Sequence, residues 1–269
     1  MTSGVNFKAG LAFARAEFYN ASVYRMSFWL SFVYTFLMMY SVGHVWRVLY
    51  EINPERVGVG LQEMTTYAVL GIALVAVMHR EGPQFYIMEQ VRTGRIELDI
   101  LKPMNFLFYM MCKYVGFGLT RMLGMVLPSL VVAYFLFGFS LPTFVNGAEF
   151  LMSVALAFLV VFMLKFMMGL VSMITMNIQN IMMAYNAIQN FFGGMMVPLW
   201  LFPGILGTVS LFLPFRSIYY IPISIYIGRY EGIGLIAVLG LQLLWIFVLG
   251  LFARLLMQFV FRRMMVQGG

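Results

Sequence analysis

A long stretch without charge constrains this fold more than any other feature of the sequence. No Asp, Glu, Lys, Arg or His occurs between Lys165 and Arg216. One bilayer span needs roughly 20 apolar residues, so the stretch is too long for a single transmembrane helix. Its second half is also too broken for a plain pair of helices, because paired glycines and prolines interrupt it at Gly193, Gly194, Pro198, Pro203 and Pro214.

Backbone that lacks hydrogen-bond partners cannot face lipid, so irregular structure at this depth must be buried in protein or line a cavity. The stretch therefore predicts a helix that rises to one membrane face and a re-entrant hairpin over residues 198–230. We expect Gly193, Gly194, Pro198 and Pro203 to end the rising helix short of the surface. Together with Pro214 they are expected to shape an outer gate. The alternative is that the prolines only cap a span. Re-entrant elements are typical of proteins that move something across a membrane.

Composition indicates an all-α polytopic membrane protein with a single domain, residues 1–269. The chain is 62% hydrophobic and only 10% charged, whereas soluble proteins average about 25% charged residues. The net charge of +7 is explained by basic residues at cytoplasmic helix ends that meet anionic membrane lipid, and nucleic acid is not an expected partner. The single cysteine, Cys112, excludes an internal disulfide.

Hydropathy predicts about six transmembrane helices, preceded by an amphipathic interfacial helix over residues 5–25. The predicted spans are 26–46, 64–78, 106–139, 149–172, 181–197 and 233–259. The distribution of Lys and Arg predicts cytoplasmic termini, a cytoplasmic charged loop over residues 80–104 and an extracytoplasmic hairpin. Arg121 and Lys165 are expected to extend to the cytoplasmic interface rather than to act as buried charges.

The sequence contains no recognisable catalytic, metal-binding or cofactor-binding constellation. The two histidines, His44 and His79, lie at opposite ends of two predicted spans, so a shared metal site is not expected. None of the four lysines follows a glycine, which rules out the phosphate loop of nucleotide hydrolases. We therefore expect a non-catalytic chain, and energy for any pumping would have to come from another subunit.

The charged cytoplasmic loop is where such a subunit could dock. Pro83 predicts a helix start, Pro103 a helix stop, and Gly94 a break that leaves two short helices. The residues expected to contact a partner are Gln90, Arg92, Thr93, Gly94, Arg95 and Glu97. Two interpretations stay open: an ordinary solvated loop, or a transverse coupling helix that sits in the cleft of a partner protein.

Two segments resemble signatures of ABC-2 type exporter permeases, namely the run from Arg92 to Pro103 and the stretch from Phe191 to Gly228. The resemblance is closest to a poorly characterised branch with paired permeases and a separate ATPase. It implies a membrane subunit of an ATP-driven exporter in a bacterial plasma (inner) membrane. The implied partners are two ATPase subunits, which would hold ATP and Mg, and a second permease, identical or paralogous.

Since the predicted hairpin carries no intramembrane charge, the sequence favours an amphipathic or lipid-like substrate. Two other functions are kept as alternatives. One is a lipid-modifying membrane enzyme, which the lack of clustered acids or histidines disfavours. The other is a membrane scaffold or insertion factor, which predicts that no ATPase accompanies the chain.

Overall fold

The protein is an all-α polytopic membrane protein. The computed structural model describes residues 7–23, 25–52, 59–78, 82–139, 141–175 and 177–267, and no strand occurs in these ranges. The α-helices are α1 (Phe7–Val23), α2 (Arg25–Ile52), α3 (Leu61–Met78), α4 (Pro83–Arg92), α5 (Ile96–Ile100), α6 (Phe106–Arg121), α7 (Leu127–Phe137), α8 (Phe144–Thr175), α9 (Gln179–Phe192), α10 (Gly204–Leu211), α11 (Tyr220–Tyr226) and α12 (Gly232–Gln267).

Short irregular helices complete the fold. A π-helical segment, Met122–Val126, joins α6 to α7, so the predicted third span is one continuous helix with a π-bulge. Two 3₁₀ turns, Leu199–Leu201 and Pro214–Ser217, lie within the predicted hairpin.

Length and composition identify four candidate spans within the described part of the chain. They are Leu61–Arg92, Phe106–Phe137, Phe144–Thr175 and Gly232–Arg263. A fifth is counted if Gly204–Leu211 and Pro214–Tyr226, which bend by 72°, form one broken span. The helix over the predicted first span, α2, is not among these four, although its 28 residues exceed the length that a bilayer requires.

The predicted fifth span, residues 181–197, is not a full span. The helix at this position, α9, has 14 residues and ends at Phe192. At 1.5 Å per residue it is about 21 Å long, which is about two thirds of the hydrocarbon core. The helix ends five residues before the predicted end at residue 197, because the chain already turns at Gly193 and Gly194.

The core forms around α3 and α8. Every residue of α3 from Met64 to Leu74 is buried, and α8 packs against α4, α11 and α12. Close approach of the N-terminal helix depends on a missing side chain, because a Cβ at Gly116 of α6 would lie 2.2 Å from the carbonyl oxygen of Ala14. Helix α1 is therefore seated on α6 through a backbone contact that only glycine permits.

A buried amide connects three parts of the fold. Gln242 of α12 is fully buried, accepts a hydrogen bond from the Ser153 hydroxyl of α8 (3.0 Å) and donates to the Ser217 carbonyl oxygen (2.9 Å). Polar side chains that bond across helices are a common means of fixing helix positions in membranes. This contact anchors the 3₁₀ turn Pro214–Ser217 to two long helices.

Candidate functional site

The two short helices predicted in the charged loop are present. Helix α4 begins at Pro83, directly after the extended Gly82, and ends at Arg92. Gly94 has a φ of +69°, a left-handed conformation that glycine adopts without strain. The amides of Gly94 and Arg95 donate back to the carbonyl oxygens of Val91 (3.1 Å) and Gln90 (2.8 Å). Gly94 therefore separates α4 from α5, as the sequence indicated.

The predicted contact residues lie around the turn between α4 and α5. Arg92, Thr93, Gly94, Arg95 and Glu97 are exposed and Gln90 is half-buried.

Two leucines that sequence reasoning missed extend the exposed surface: Leu98 is 67% exposed and Leu101 is 77% exposed. Their spacing could have revealed them, because the helical period of α5 turns Ile96 and Asp99 inward and leaves Leu98 and Leu101 outside. We call the eight residues Gln90, Arg92, Thr93, Gly94, Arg95, Glu97, Leu98 and Leu101 the coupling tip.

A buried carboxylate holds the coupling tip in place. Asp99 is only 6% exposed, and its Oδ1 accepts from the Lys102 ammonium at 2.6 Å and from the Tyr109 hydroxyl at 3.3 Å. Its Oδ2 accepts from the Tyr86 hydroxyl at 2.8 Å. These donors come from α4, from α6 and from the segment after α5, so a single carboxylate fixes three parts of the loop relative to each other.

Lys102 adds to this anchor over the whole neutral pH range. Partial burial disfavours its charge, but hydrogen bonds to Asp99 and Tyr109 outweigh that effect and raise the pKa of Lys102 above its ordinary 10.5. A group whose pKa is higher in the folded than in the unfolded chain stabilises the folded state. This contribution is complete below the unfolded-state pKa and is lost as the pH rises through the folded-state pKa. The Lys102 contacts are therefore expected to weaken only in strongly alkaline solution.

Loss of the Asp99 carboxylate should release the coupling tip without unfolding the membrane helices. Asp99→Ala leaves the Tyr86 and Tyr109 hydroxyls without their acceptor, at a cost of about 2 kcal/mol for a charge-assisted network that is partly open to solvent. We expect trypsin to cleave at Arg92 and Arg95 about 30-fold faster, since cleavage follows local opening. Glu97→Ala, an exposed neighbour, is the control. Equal cleavage rates in both variants would contradict the anchoring role.

The opposite face of α4 is packed against the membrane helices. Ile87 is fully buried, and a Cβ at Gly169 of α8 would lie 2.6 Å from its Cδ1 atom. Gln84 is also fully buried, and neither its amide nitrogen nor its amide oxygen has a hydrogen-bond partner. Movement of α4 would therefore be transmitted directly to α8.

The prediction that Lys165 and Arg121 reach the membrane interface is wrong. The Lys165 side chain is fully buried and its ammonium donates to the carbonyl oxygen of Met78, the last residue of α3. Arg121 is 9% exposed and its Nη1 donates to the Ala76 carbonyl oxygen at 3.4 Å. The carbonyl groups at the end of a helix lack intrahelical partners, so this end of α3 offers acceptors that hold both basic side chains inside.

The hairpin begins where the two glycines were expected to end a helix. Gly193 closes α9 by donating to the Gln189 carbonyl oxygen (2.8 Å), and Gly194 has a φ of +68°. The Tyr67 hydroxyl of α3 donates to the Gly194 carbonyl oxygen. A Cβ at Gly71 of α3 would lie 2.2 Å from the Met195 carbonyl oxygen. The glycine part of the prediction is confirmed, and the turn lies directly on α3.

The prolines of the hairpin have a different structural role from the predicted one. Pro198 and Pro203 immediately precede the 3₁₀ turn Leu199–Leu201 and helix α10, and Pro214 opens the 3₁₀ turn Pro214–Ser217. All three lie after α9 has already ended. Pro198 and Pro203 therefore do not stop the rising helix as predicted, and each of the three prolines starts a following element. Their fixed φ suits the first residues of a helix.

The returning part of the hairpin is enclosed by protein. Residues Ile221 to Tyr226 of α11 are all buried, and the helix packs against α8. Its entry is also fixed to α9, because the Tyr220 amide donates to the Gly193 carbonyl oxygen at 3.0 Å. Beyond α11, Arg229 pairs with Glu63 at the start of α3 (3.0 Å). This geometry fits a re-entrant element whose backbone is shielded from lipid.

Helix α3 connects the two predicted sites. Tyr67 and Gly71 contact the hairpin turn, and the Met78 carbonyl oxygen accepts hydrogen bonds from Lys165 and from the Tyr114 hydroxyl at 2.9 Å. The Lys165 side chain also lies next to Gly82, since a Cβ added at Gly82 would be 3.0 Å from the Lys165 Cδ atom. One buried helix thus joins the base of the charged loop to the hairpin. No group of three or more potential metal-ligating side chains occurs in the part of the chain that the structure describes, and His79 lies outside that part.

Most of the chain is similar to a known protein family. A family model described as ABC-2 family transporter protein matches residues 32–268, which includes the charged loop, α3 and the hairpin. No curated protein matches the chain.

Proposed function

Because the chain belongs to the ABC-2 transporter family, we propose that this membrane permease exports an amphipathic or lipid-like substrate with energy from a separate ATPase. The coupling tip is the observation that carries the proposal. It presents two exposed arginines, Arg92 and Arg95, beside the exposed Leu98 and Leu101. An apolar anchor with charges at its rim is the usual composition of a specific protein contact.

The packing around α4 supports a transmission role. A partner that pushes on the coupling tip moves α4, whose buried Ile87 is in contact with Gly169 of α8. The same push acts on α5, which Asp99 fastens to Tyr86 and Tyr109. A solvated loop would need neither the buried carboxylate nor the packed inner face.

The hairpin is proposed as the outer gate. Its turn contacts Tyr67 and Gly71 of α3. The other end of α3 is Met78, whose carbonyl oxygen accepts a hydrogen bond from Lys165. Displacement of α3 would therefore shift the turn. In this proposal the chain itself is not catalytic and binds no cofactor.

The proposed assembly contains two ATPase subunits, which hold ATP and Mg, and a second permease that is identical or paralogous. It sits in a bacterial plasma (inner) membrane with both termini in the cytoplasm.

Co-purification is the direct test. The full chain, solubilised in a mild detergent, is expected to retain a soluble subunit that carries a phosphate loop and hydrolyses ATP. Recovery of the chain without any ATPase, from cells in which the adjacent genes are also expressed, would favour the scaffold or membrane enzyme instead.

The proposed orientation makes a separate prediction. In a Cys112→Ser background, we expect Thr143→Cys to react with an impermeant maleimide in intact cells. Thr93→Cys should react only after the membrane is permeabilised, although its position is exposed in the structure. Labelling of Thr93→Cys in intact cells would overturn the cytoplasmic location of the coupling tip.

A further inference from the structure

A cavity of about 820 Å³ is lined by residues of α2, α3, α6 and α9 and by Met195 of the hairpin turn. Residues that line it include Tyr34, Thr35, Val75, Arg121, Asn190 and Met195. Its volume falls within the range of about 300–1,000 Å³ that is usual for small-molecule sites. The cavity lies among the membrane helices and is separate from the coupling tip.

Arg121 contributes a basic group to the wall of this cavity. It is the one formally charged residue among the described residues that line the cavity. Its guanidinium is held in place by the Ala76 carbonyl oxygen (3.4 Å) and by the Phe117 ring, 4.8 Å from the ring centroid. Placing an arginine at this depth costs free energy, and such residues commonly mark substrate paths.

The backbone at Arg121 is also unusual. The π-helical segment Met122–Val126 begins at the next residue. Single-turn π-bulges within α-helices occur frequently at functional sites, because the extra residue changes the direction of neighbouring side chains. The charge and the bulge are independent observations, and both single out the same point of the cavity wall.

The remaining wall suits a hydrocarbon chain. Met38, Ile72 and Val75 line it from α2 and α3, while Leu30 and Tyr34 at the α2 side are 66% and 59% exposed. This exposed edge belongs to α2, whose 28 residues are enough to cross a bilayer, and in this proposal the mouth of the cavity opens towards the lipid chains. The site thus combines one cation with an apolar path that leads outward to the bilayer.

We propose that this cavity binds an acidic amphiphile, with its phosphate or carboxylate on Arg121 and its hydrocarbon chain between α2 and α3. The planar guanidinium matches the oxygens of such a headgroup. The assignment rests on the proposed export function and narrows its substrate class. Met195 connects the site to the gate, since it lines the cavity and its carbonyl oxygen touches Gly71.

Photo-crosslinking of the full chain in neutral-lipid nanodiscs tests the assignment without any ATPase. The probes are alkyl chains that carry the same diazirine and end in a phosphate, a neutral maltoside or a trimethylammonium group. We expect the phosphate probe to label peptides of α2 and α3 about tenfold more than the other two, which is the ratio that one charge-assisted contact provides. Equal labelling by the three probes would overturn the proposal.

Variants separate the charge from the cavity. Arg121→Gln should remove the preference for phosphate, and Arg254→Gln, which makes the same charge change at an exposed position of α12, should retain it. Val75→Phe places a larger side chain in the cavity wall, which narrows the space between α2 and α3, and should reduce labelling by every probe at these peptides. If Arg121→Gln does not fold, the wild-type headgroup preference and Val75→Phe still decide the question.

Competition identifies the source of the anion. Unlabelled dodecyl phosphate should suppress labelling, whereas inorganic phosphate at the same concentration should not. Equal suppression would mean that the site recognises a free anion and would overturn the amphiphile assignment. Because the measurement needs only the isolated chain, its failure is distinguishable from failure to recover an ATPase.

Discussion

Reversing the charge at Arg92 and Arg95 is expected to lower the affinity for the ATPase subunit by about 2–5 kcal/mol, which corresponds to a loss of roughly 30-fold to several thousand-fold. Both arginines are exposed in the charged loop. When a partner covers them, Glu at either position leaves a desolvated carboxylate opposite groups selected for a cation. The measurement is co-purification of the ATPase with Arg92→Glu/Arg95→Glu, followed by titration.

The control for this variant is Arg262→Glu, which changes the same charge at an exposed position near the end of α12. It should bind the ATPase as the wild type does. Leu101→Ser supplies a second test, because Leu101 is 77% exposed and contributes little to the fold. Normal assembly with the ATPase in both Arg92→Glu/Arg95→Glu and Leu101→Ser would show that the coupling tip is an ordinary solvated loop.

Gly71→Ala is expected to destabilise the chain by about 3 kcal/mol, at the upper end of what overpacking normally costs. The new methyl carbon would lie 2.2 Å from the Met195 carbonyl oxygen, and backbone cannot move aside as the end of a flexible side chain can. The hairpin turn would have to leave α3, which also breaks the contact between Tyr67 and Gly194. The measurement is thermal unfolding in detergent, together with export in cells.

Gly240→Ala is the matched control, because a Cβ at this position of α12 meets no atom within 4 Å. Alanine favours a helix over glycine by about 1 kcal/mol, so this variant should be as stable as the wild type or slightly more so. The same helix preference acts at Gly71, and the difference between the two variants therefore measures the contact with the hairpin. Equal unfolding temperatures would show that the turn is not seated on α3.

Local sequence patterns predicted the elements whose ends depend on neighbouring residues in the chain. Pro83, Gly94 and Pro103 defined α4 and α5, because proline and glycine act on backbone torsion within one or two residues. Gly193 and Gly194 ended α9 for the same reason, although the attribution of that end to Pro198 and Pro203 was wrong. The uncharged run from Phe166 to Phe215 indicated a re-entrant element, because any backbone in lipid must have its hydrogen bonds satisfied.

Contacts between distant segments decided what the sequence left open. Asp99 looked like part of an exposed charged loop, and only the position of Tyr109, ten residues away on another helix, shows that it is buried and bonded. Lys165 and Arg121 were expected at the interface, yet the end of α3 supplies the carbonyl oxygens that hold them inside. The hydropathy of a charged residue indicates the cost of burying it but does not indicate whether an acceptor is present, since that acceptor belongs to another helix. The fold class therefore followed from composition, whereas the anchor, the buried cations and the cavity depended on which helices pack together.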